Sequence, residues 1–218
     1  FLPNDLLGIS YAKAIIKNNY PIDIITIKRT NDYHDLKSNV EIVSASNIRN
    51  KLNENENITK YVPTNIPNKI INVNKENYFK LLKYKINTDD NLKHYLDVDE
   101  GIEYRLQKYI NSSNTIEEFI YNIKTKRYTY NKLNRMFIHI ITSLKKEYNT
   151  NISYIKILGF NKKGQNYLNS FKEFSIPIIV DKNSLQYKYE LTSSIIYDLI
   201  NNTNTYEFEK RNKPVIKD

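Results

Sequence analysis

Ser44-Ala-Ser-Asn-Ile-Arg49 sets hydroxyl groups at a helix start with an arginine one turn further on. The first amides of a helix lack intrahelical acceptors, and beside a guanidinium they form a cradle for phosphate. The same residues also fit an ordinary serine-capped helix whose arginine lies on the surface. Lys28-Arg29 follows the β-branched run Ile22 to Ile27, and open α/β sheets present ligand sites at the carboxyl ends of such strands. Tyr33-His34-Asp35 sets a histidine beside a carboxylate, a pairing used in acid–base work, although neighbours in a loop also make purely local contacts. Lys124-Thr-Lys-Arg127, followed by Tyr128, Tyr130, Lys132, Arg135 and His139, mixes cations with aromatic rings. That combination binds RNA by phosphate pairing and base stacking. Alternatively, these cations complement the carboxyl end of the preceding helix and stay solvated. Lys162-Lys163-Gly164 is a further basic turn, which a plain αβ connection explains. No Gly-rich phosphate loop, paired-carboxylate signature or serine or cysteine nucleophile motif occurs.

These groups need elements to position them. Asn4 or Asp5 can cap a helix carrying Leu7, Tyr11, Ala14 and Ile15 at helical spacing, ended by Asn18-Asn19-Tyr20-Pro21. The run Ile22 to Ile27 then reads as a buried strand of a parallel sheet. Ser44 or Ser46 caps a second helix, and the Asn- and Pro-rich stretch from Asn53 to Lys69 reads as a linker. From Lys75 the pattern becomes helical, over about 75–85, 90–96, 100–111, 117–125 and 130–147. Thr115-Ile-Glu-Glu118 has capping-box spacing, and Tyr130, Leu133, Met136, Phe137, Ile140, Ile141 and Leu144 share a helix face. Apolar runs at Ile155–Leu158 and Ile178–Val180, with helices near Gly164–Phe171 and Leu191–Ile200, predict a small α/β tail.

Composition limits the partners. The net charge of +9 favours a polyanion. Because the chain is also rich in Asn, Ile, Lys and Tyr, as AT-rich coding would give, Arg29, Arg49, Arg105, Arg127, Arg135 and Arg211 are the more informative cations. With no cysteine there is no disulfide framework, thiolate nucleophile or cysteine zinc site. His34, His94 and His139 are far apart in sequence, which argues against a bound transition metal. No apolar run approaches the roughly 20 residues of a membrane span, and no signal peptide is visible, so a cytoplasmic protein without membrane contact is expected.

Taken in order, Pro3-Asn-Asp-Leu-Leu-Gly-Ile-Ser-Tyr-Ala-Lys-Ala14, Ile27-Lys-Arg29, Tyr33-His-Asp35, Ser44-Ala-Ser-Asn-Ile-Arg49 and Tyr61-Val-Pro63 resemble part of the nucleotidyltransferase-like domain of the bacterial tRNA(Met) cytidine acetate ligases. Glu100-Gly-Ile-Glu-Tyr-Arg-Leu106, Ile123-Lys-Thr-Lys-Arg-Tyr-Thr129, Asn134-Arg-Met136 and Ile157-Leu-Gly-Phe-Asn-Lys-Lys-Gly164 resemble that family's helical and terminal regions. The resemblance implies an α/β plus α chain: the remnant of a nucleotidyltransferase-like parallel-sheet domain over residues 1–62, then a mostly helical tRNA-binding domain with a small α/β tail over residues 63–218. It further implies a ligase that uses ATP, with Mg2+, to activate acetate as acetyl-adenylate, and then acetylates N4 of the wobble cytidine of elongator tRNA(Met). Asn4, Arg29, Ser44, Ser46 and Arg49 would contact ATP, the last three matching a Ser-x-x-Ile-Arg type of phosphate element. Lys124, Lys126, Arg127, Lys132 and Arg135 would contact tRNA. The family's His-x-Gly-His element is not in this sequence, and the chain opens on Phe1 directly before a helical pattern. It therefore reads as the carboxy-terminal portion of such a ligase, inactive alone. A non-catalytic tRNA-binding module and a nucleotidyltransferase acting on a small substrate are the alternatives.

Overall fold

The structure, a computed structural model, describes residues 3–28, 40–63, 73–148, 152–171, 173–178, 180–211 and 213–217, the side chains of Pro3 and Asn4 excepted. The chain divides into two compact units, Phe1–Ile70 and Ile71–Asp218.

In the first unit, helix α1 spans Pro3–Asn18. A proline suits the first helical turn because its missing N–H has no acceptor there, and Asp5 in that turn faces the positive end of the helix dipole. The helix therefore starts ahead of the Asn4 or Asp5 cap that the sequence suggests. It stops where Asn19 turns left-handed at φ 50° and the Tyr20 amide donates back to the Ile15 carbonyl over 3.1 Å, a closure that satisfies a terminal carbonyl. Beyond it, Ile22 to Ile27 corrects an expectation. These residues join no sheet among the described residues, and Ile25 and Ile27 are 86% and 92% exposed. β-branched side chains favour extended backbone, but a buried strand also needs neighbours to take its N–H and C=O groups. Helix α2 spans Ala45–Asn53, and Ser44 Oγ accepts from the Asn47 amide at 3.1 Å. The following residues are not the free linker expected over 53–69, at least as far as residue 63. The Glu56 amide donates to the Lys51 carbonyl at 2.8 Å, Lys51 Nζ meets the Glu56 carboxylate at 3.0 Å, and Ile58 is buried.

The second unit is built on α3 (Lys75–Thr88), α4 (Ile102–Ile110), α5 (Ile116–Ile123) and α6 (Tyr130–Ile141). Apolar positions repeating at helical spacing give each helix one buried stripe, and the stripes meet in a single core. Phe79, Phe119 and Phe137 form its aromatic centre, with ring centroids 5.9 Å and 5.6 Å apart along the series. The α5 cap departs slightly from the expected box. Thr115 Oγ1 accepts from the Glu118 amide at 3.2 Å, while Glu118 reaches the Asn114 amide, one residue ahead of the cap, at 2.7 Å. On α6 the structure buries Leu133, Met136, Phe137, Ile140 and Ile141 but leaves Tyr130 55% exposed.

Two predicted helices shorten. The one expected over 90–96 is a single 3-10 turn, Leu92–His94, because Tyr95 leaves it to bridge Lys145. The one expected to reach Glu147 ends at Ile141: Ser143 turns left-handed at φ 59°, and the Leu144 carbonyl accepts from the Leu96 amide at 2.9 Å.

The tail contains β1 (Gly159–Phe160), α7 (Lys162–Ser170), α8 (Leu185–Asn201), α9 (Thr205–Arg211) and β2 (Val215–Ile216). The small parallel sheet is present, but its strands are displaced from the two apolar runs. β1 begins just after Ile155–Leu158 and pairs with β2, Gly159 opposite Val215 and Phe160 opposite Ile216, while the described residues of Ile178–Val180 form no strand. Gly159 is required at this pairing, since a Cβ there would lie 2.7 Å from the Val215 carbonyl oxygen. α8 is tied to α3 by Asn77 Nδ2 donating to the Ile200 carbonyl at 3.1 Å.

Asp198 organises the turn from α8 into α9, accepting from the Thr203 and Thr205 hydroxyls and from the Thr205 and Tyr206 amides. Desolvation pushes its carboxyl up, but those hydrogen bonds outweigh it and hold the group well below the usual carboxylate range. A carboxyl whose folded pKa lies below its unfolded value, about 3.9, contributes its full stability above that pH and loses it as pH falls through the folded value. Asp198→Asn is therefore expected to lower the melting temperature at pH 7, with the gap to wild type closing below about pH 4. A gap that persists unchanged at pH 2.5 would contradict this role.

Candidate functional site

Ser44, Ser46 and Arg49 lie together at the start of α2. Ser44 sits in extended backbone, φ −71° and ψ 154°, which points its hydroxyl at the helix end. With Asn47 N–H bound to Ser44 Oγ and Ile48 N–H bound to the Ser44 carbonyl at 3.0 Å, the Ala45 and Ser46 amides have no intrahelical acceptor. One turn on, the Arg49 guanidinium donates to Ser46 Oγ at 3.2 Å and is exposed. Among the described residues Arg49 has no carboxylate partner, so its charge is available to an anion. Amide N–H groups, hydroxyls and a guanidinium on one helix end can hold phosphate oxygens. The Asn4 side chain, Arg29 and the Tyr33-His34-Asp35 segment lie outside the described residues. Among the described residues no three acidic, histidine or cysteine side chains come together as metal ligands.

The cations expected to meet RNA divide into two groups. Lys124 and Lys126 are exposed in the turn between α5 and α6, and Lys132 Nζ lies 4.3 Å from the centroid of the Tyr128 ring. Arg127 and Arg135, in contrast, are engaged by the chain's own acids. Arg127 pairs with Glu100, and Arg135 Nε meets Asp97 at 2.7 Å, with His139 Nδ1 on the same carboxylate at 3.3 Å. Lys146 completes the series by pairing with Asp99 at 2.7 Å. The loop that carries these acids has left-handed backbone at Asp97, Glu100 and Gly101, with φ of 67°, 58° and 80°.

Sequence reading missed a second basic cluster. Asn91, Lys93, His94, Lys145, Lys146 and Glu147 line a cavity of about 550 Å³. Lys93-His94 and Lys145-Lys146 are visible as basic pairs, but only the Tyr95–Lys145 bridge brings them to one place.

A phosphate-type helix start fits a nucleotidyl transferase, and comparison with known proteins agrees: the profile of the family described as HIGH Nucleotidyl Transferase matches residues 2–213. The chain belongs to that family. Within it, the chain is 38% identical over 196 residues to the tRNA(Met) cytidine acetate ligase of Oceanobacillus iheyensis, covering 81% of this chain and 49% of that protein. It is 37% identical over 187 residues to the enzyme of the same name from Caldicellulosiruptor saccharolyticus, covering 79% and 47%. The crystal structure of apo Thermotoga maritima TmcAL superposes with a TM-score of 0.70 at 20% identity, covering 98% of this chain and 60% of that one. A second TmcAL structure, bound with alpha-thio ATP, gives a TM-score of 0.69 at 20% identity, covering 99% and 60%. The chain thus spans about half the length of the curated relatives it matches. The similarity to the acetate ligases expected from its motifs is established, as is the fold shared with TmcAL. Among the described residues no helix is long and apolar enough to cross a membrane.

Proposed function

We propose that this chain works as part of a tRNA(Met) cytidine acetate ligase. Residues 1–62 contribute to ATP binding, and residues 63–218 bind elongator tRNA(Met). The observation that carries the reading is similarity to such ligases at 36–38% identity, collinear with a family match over residues 2–213. The ATP analogue held by a protein of the same fold supports ATP as substrate. In the reaction, an acetate carboxylate oxygen attacks the α-phosphorus of ATP and pyrophosphate leaves. N4 of the wobble cytidine then attacks the acetyl carbon of acetyl-adenylate, and AMP leaves as the amide forms and the nitrogen gives up a proton. The free amides at the start of α2, Ser44, Ser46 and Arg49 hold the negative charge of the triphosphate, where fixed donors need no reorganisation during reaction. Asn4 and Arg29 complete the ATP contacts, with Mg2+ entering on the nucleotide. Lys124, Lys126 and Lys132 meet tRNA directly, and Arg127 and Arg135 do so once their carboxylates are displaced.

The test is mass-spectrometric detection of N4-acetylcytidine in elongator tRNA(Met) incubated with ATP, acetate and either the full-length gene product or residues 1–218. The expected result is acetylation by the full-length protein and none by the shorter chain. Unmodified tRNA with the full-length protein, together with retained tRNA binding, would make this a tRNA-binding module instead.

A further inference from the structure

The cavity between the Leu92–His94 turn and the segment after α6 is lined by none of the RNA contacts assigned above. Its two walls are fixed to one another by backbone. The Leu96 amide donates to the Leu144 carbonyl at 2.9 Å, Tyr95 bridges Lys145, and the Leu144 amide closes on the His139 carbonyl at 2.9 Å. From below, Lys146 Nζ donates to the Val98 carbonyl at 2.7 Å and pairs with Asp99 at 2.7 Å. Lys146 is therefore spent on holding the wall. Lys93 and Lys145 are not. Lys93 is exposed with no carboxylate partner among the described residues; Lys145 meets the Glu147 carboxylate, itself 65% exposed, at 3.8 Å, and its Nζ lies 5.6 Å from the centroid of the Tyr148 ring. The His94 ring completes the rim, its Nε2 2.9 Å from the side-chain amide nitrogen of Asn91.

Arg127 and Arg135 are matched by Glu100 and Asp97, so an RNA phosphate reaching them must first displace a carboxylate already in contact. A phosphate reaching Lys93, His94 and Lys145 displaces no carboxylate contact closer than the 3.8 Å one to Glu147. Cations without a close carboxylate, in a recess large enough for a phosphodiester, are the more favourable seat.

We propose that this cavity is a backbone-phosphate site for the RNA substrate, with Lys93, His94 and Lys145 as donors. The assignment deepens the tRNA-binding reading and rests on it.

The experiment measures elongator tRNA(Met) binding to the full-length gene product by fluorescence anisotropy across a potassium chloride series. Its variants are Lys93→Ala/Lys145→Ala, Glu147→Gln, and Lys108→Ala/Lys210→Ala as a control for loss of exposed charge elsewhere. Each phosphate contact contributes roughly 0.7–0.9 to the slope of log affinity against log salt, so the first variant should lose about 1.4–1.8 of slope. The control should lose little, and Glu147→Gln, which removes the one carboxylate of the recess without creating a cavity, should bind more tightly than wild type. Unchanged affinity and slope in Lys93→Ala/Lys145→Ala, or an equal loss in the control, overturns the site. So does a result in which millimolar inorganic phosphate binds the cavity while the double variant keeps normal RNA binding, which would mark a site for the free ion. N4-acetylcytidine formation is scored in parallel. Loss of slope in a protein that does not acetylate retains the cavity and rejects the ligase reading, whereas normal acetylation with unchanged slope does the reverse.

Discussion

Phe119→Ala is expected to destabilise the helical unit by about 3–5 kcal/mol, the usual cost of emptying a buried phenylalanine site. Phe119 is fully buried and stands between Phe79 and Phe137, its ring stacked on Phe137 at an interplanar angle of 23°. Its neighbours come from α3 and α6, which are themselves fixed by other contacts, so the walls cannot close on the void. Domains of this kind have roughly 5–15 kcal/mol in total, so the loss removes a large part of their stability. Urea unfolding followed by tyrosine fluorescence should show a lower midpoint at unchanged slope. Phe119→Leu, which keeps most of the volume, should cost less than about 1.5 kcal/mol. A midpoint for Phe119→Ala within error of wild type would mean that the aromatic centre does not carry the core.

The core was legible because its cause is periodic. Leu133, Met136, Phe137, Ile140 and Ile141 repeat at helical spacing, and the structure buries all of them. A serine cap at Ser44 or Ser46 was legible because its cause is local, and the structure uses Ser44, three residues from the amide it holds. Features set by distant partners were not. The run Ile22 to Ile27 has strand composition, yet a strand is defined by the neighbours that pair with it. Val215–Ile216 is too short to show alternation, so its pairing with Gly159–Phe160 left no trace in the sequence. The same holds for charge. Lys124, Arg127 and Arg135 look equivalent along the chain, and only folding reveals that Glu100 and Asp97 occupy the two arginines while the lysine meets no carboxylate among the described residues.

That contrast sets the second large prediction, Arg49→Ala in the full-length protein. Unlike Arg127 and Arg135, Arg49 is anchored by a neutral hydroxyl and meets no carboxylate among the described residues, so on the proposed reading its charge is left for the triphosphate. Removing a fixed donor that stabilises developing negative charge costs about a hundredfold to a thousandfold in rate. The expected result is a loss of that order in kcat/KM for ATP in cytidine acetylation, with the melting temperature unchanged because the side chain is exposed. Arg49→Lys keeps the charge but not the planar fork and should recover only part of the loss. Ser44→Ala should behave differently: it removes the α2 cap, costing about 1 kcal/mol of stability along with activity. The division between kcat and KM then locates the contact. A rise in KM alone means that Arg49 holds ATP equally before and during reaction, while a fall in kcat means that it meets charge formed only as acetate attacks. Wild-type kinetics in Arg49→Ala would remove the start of α2 from the ATP site.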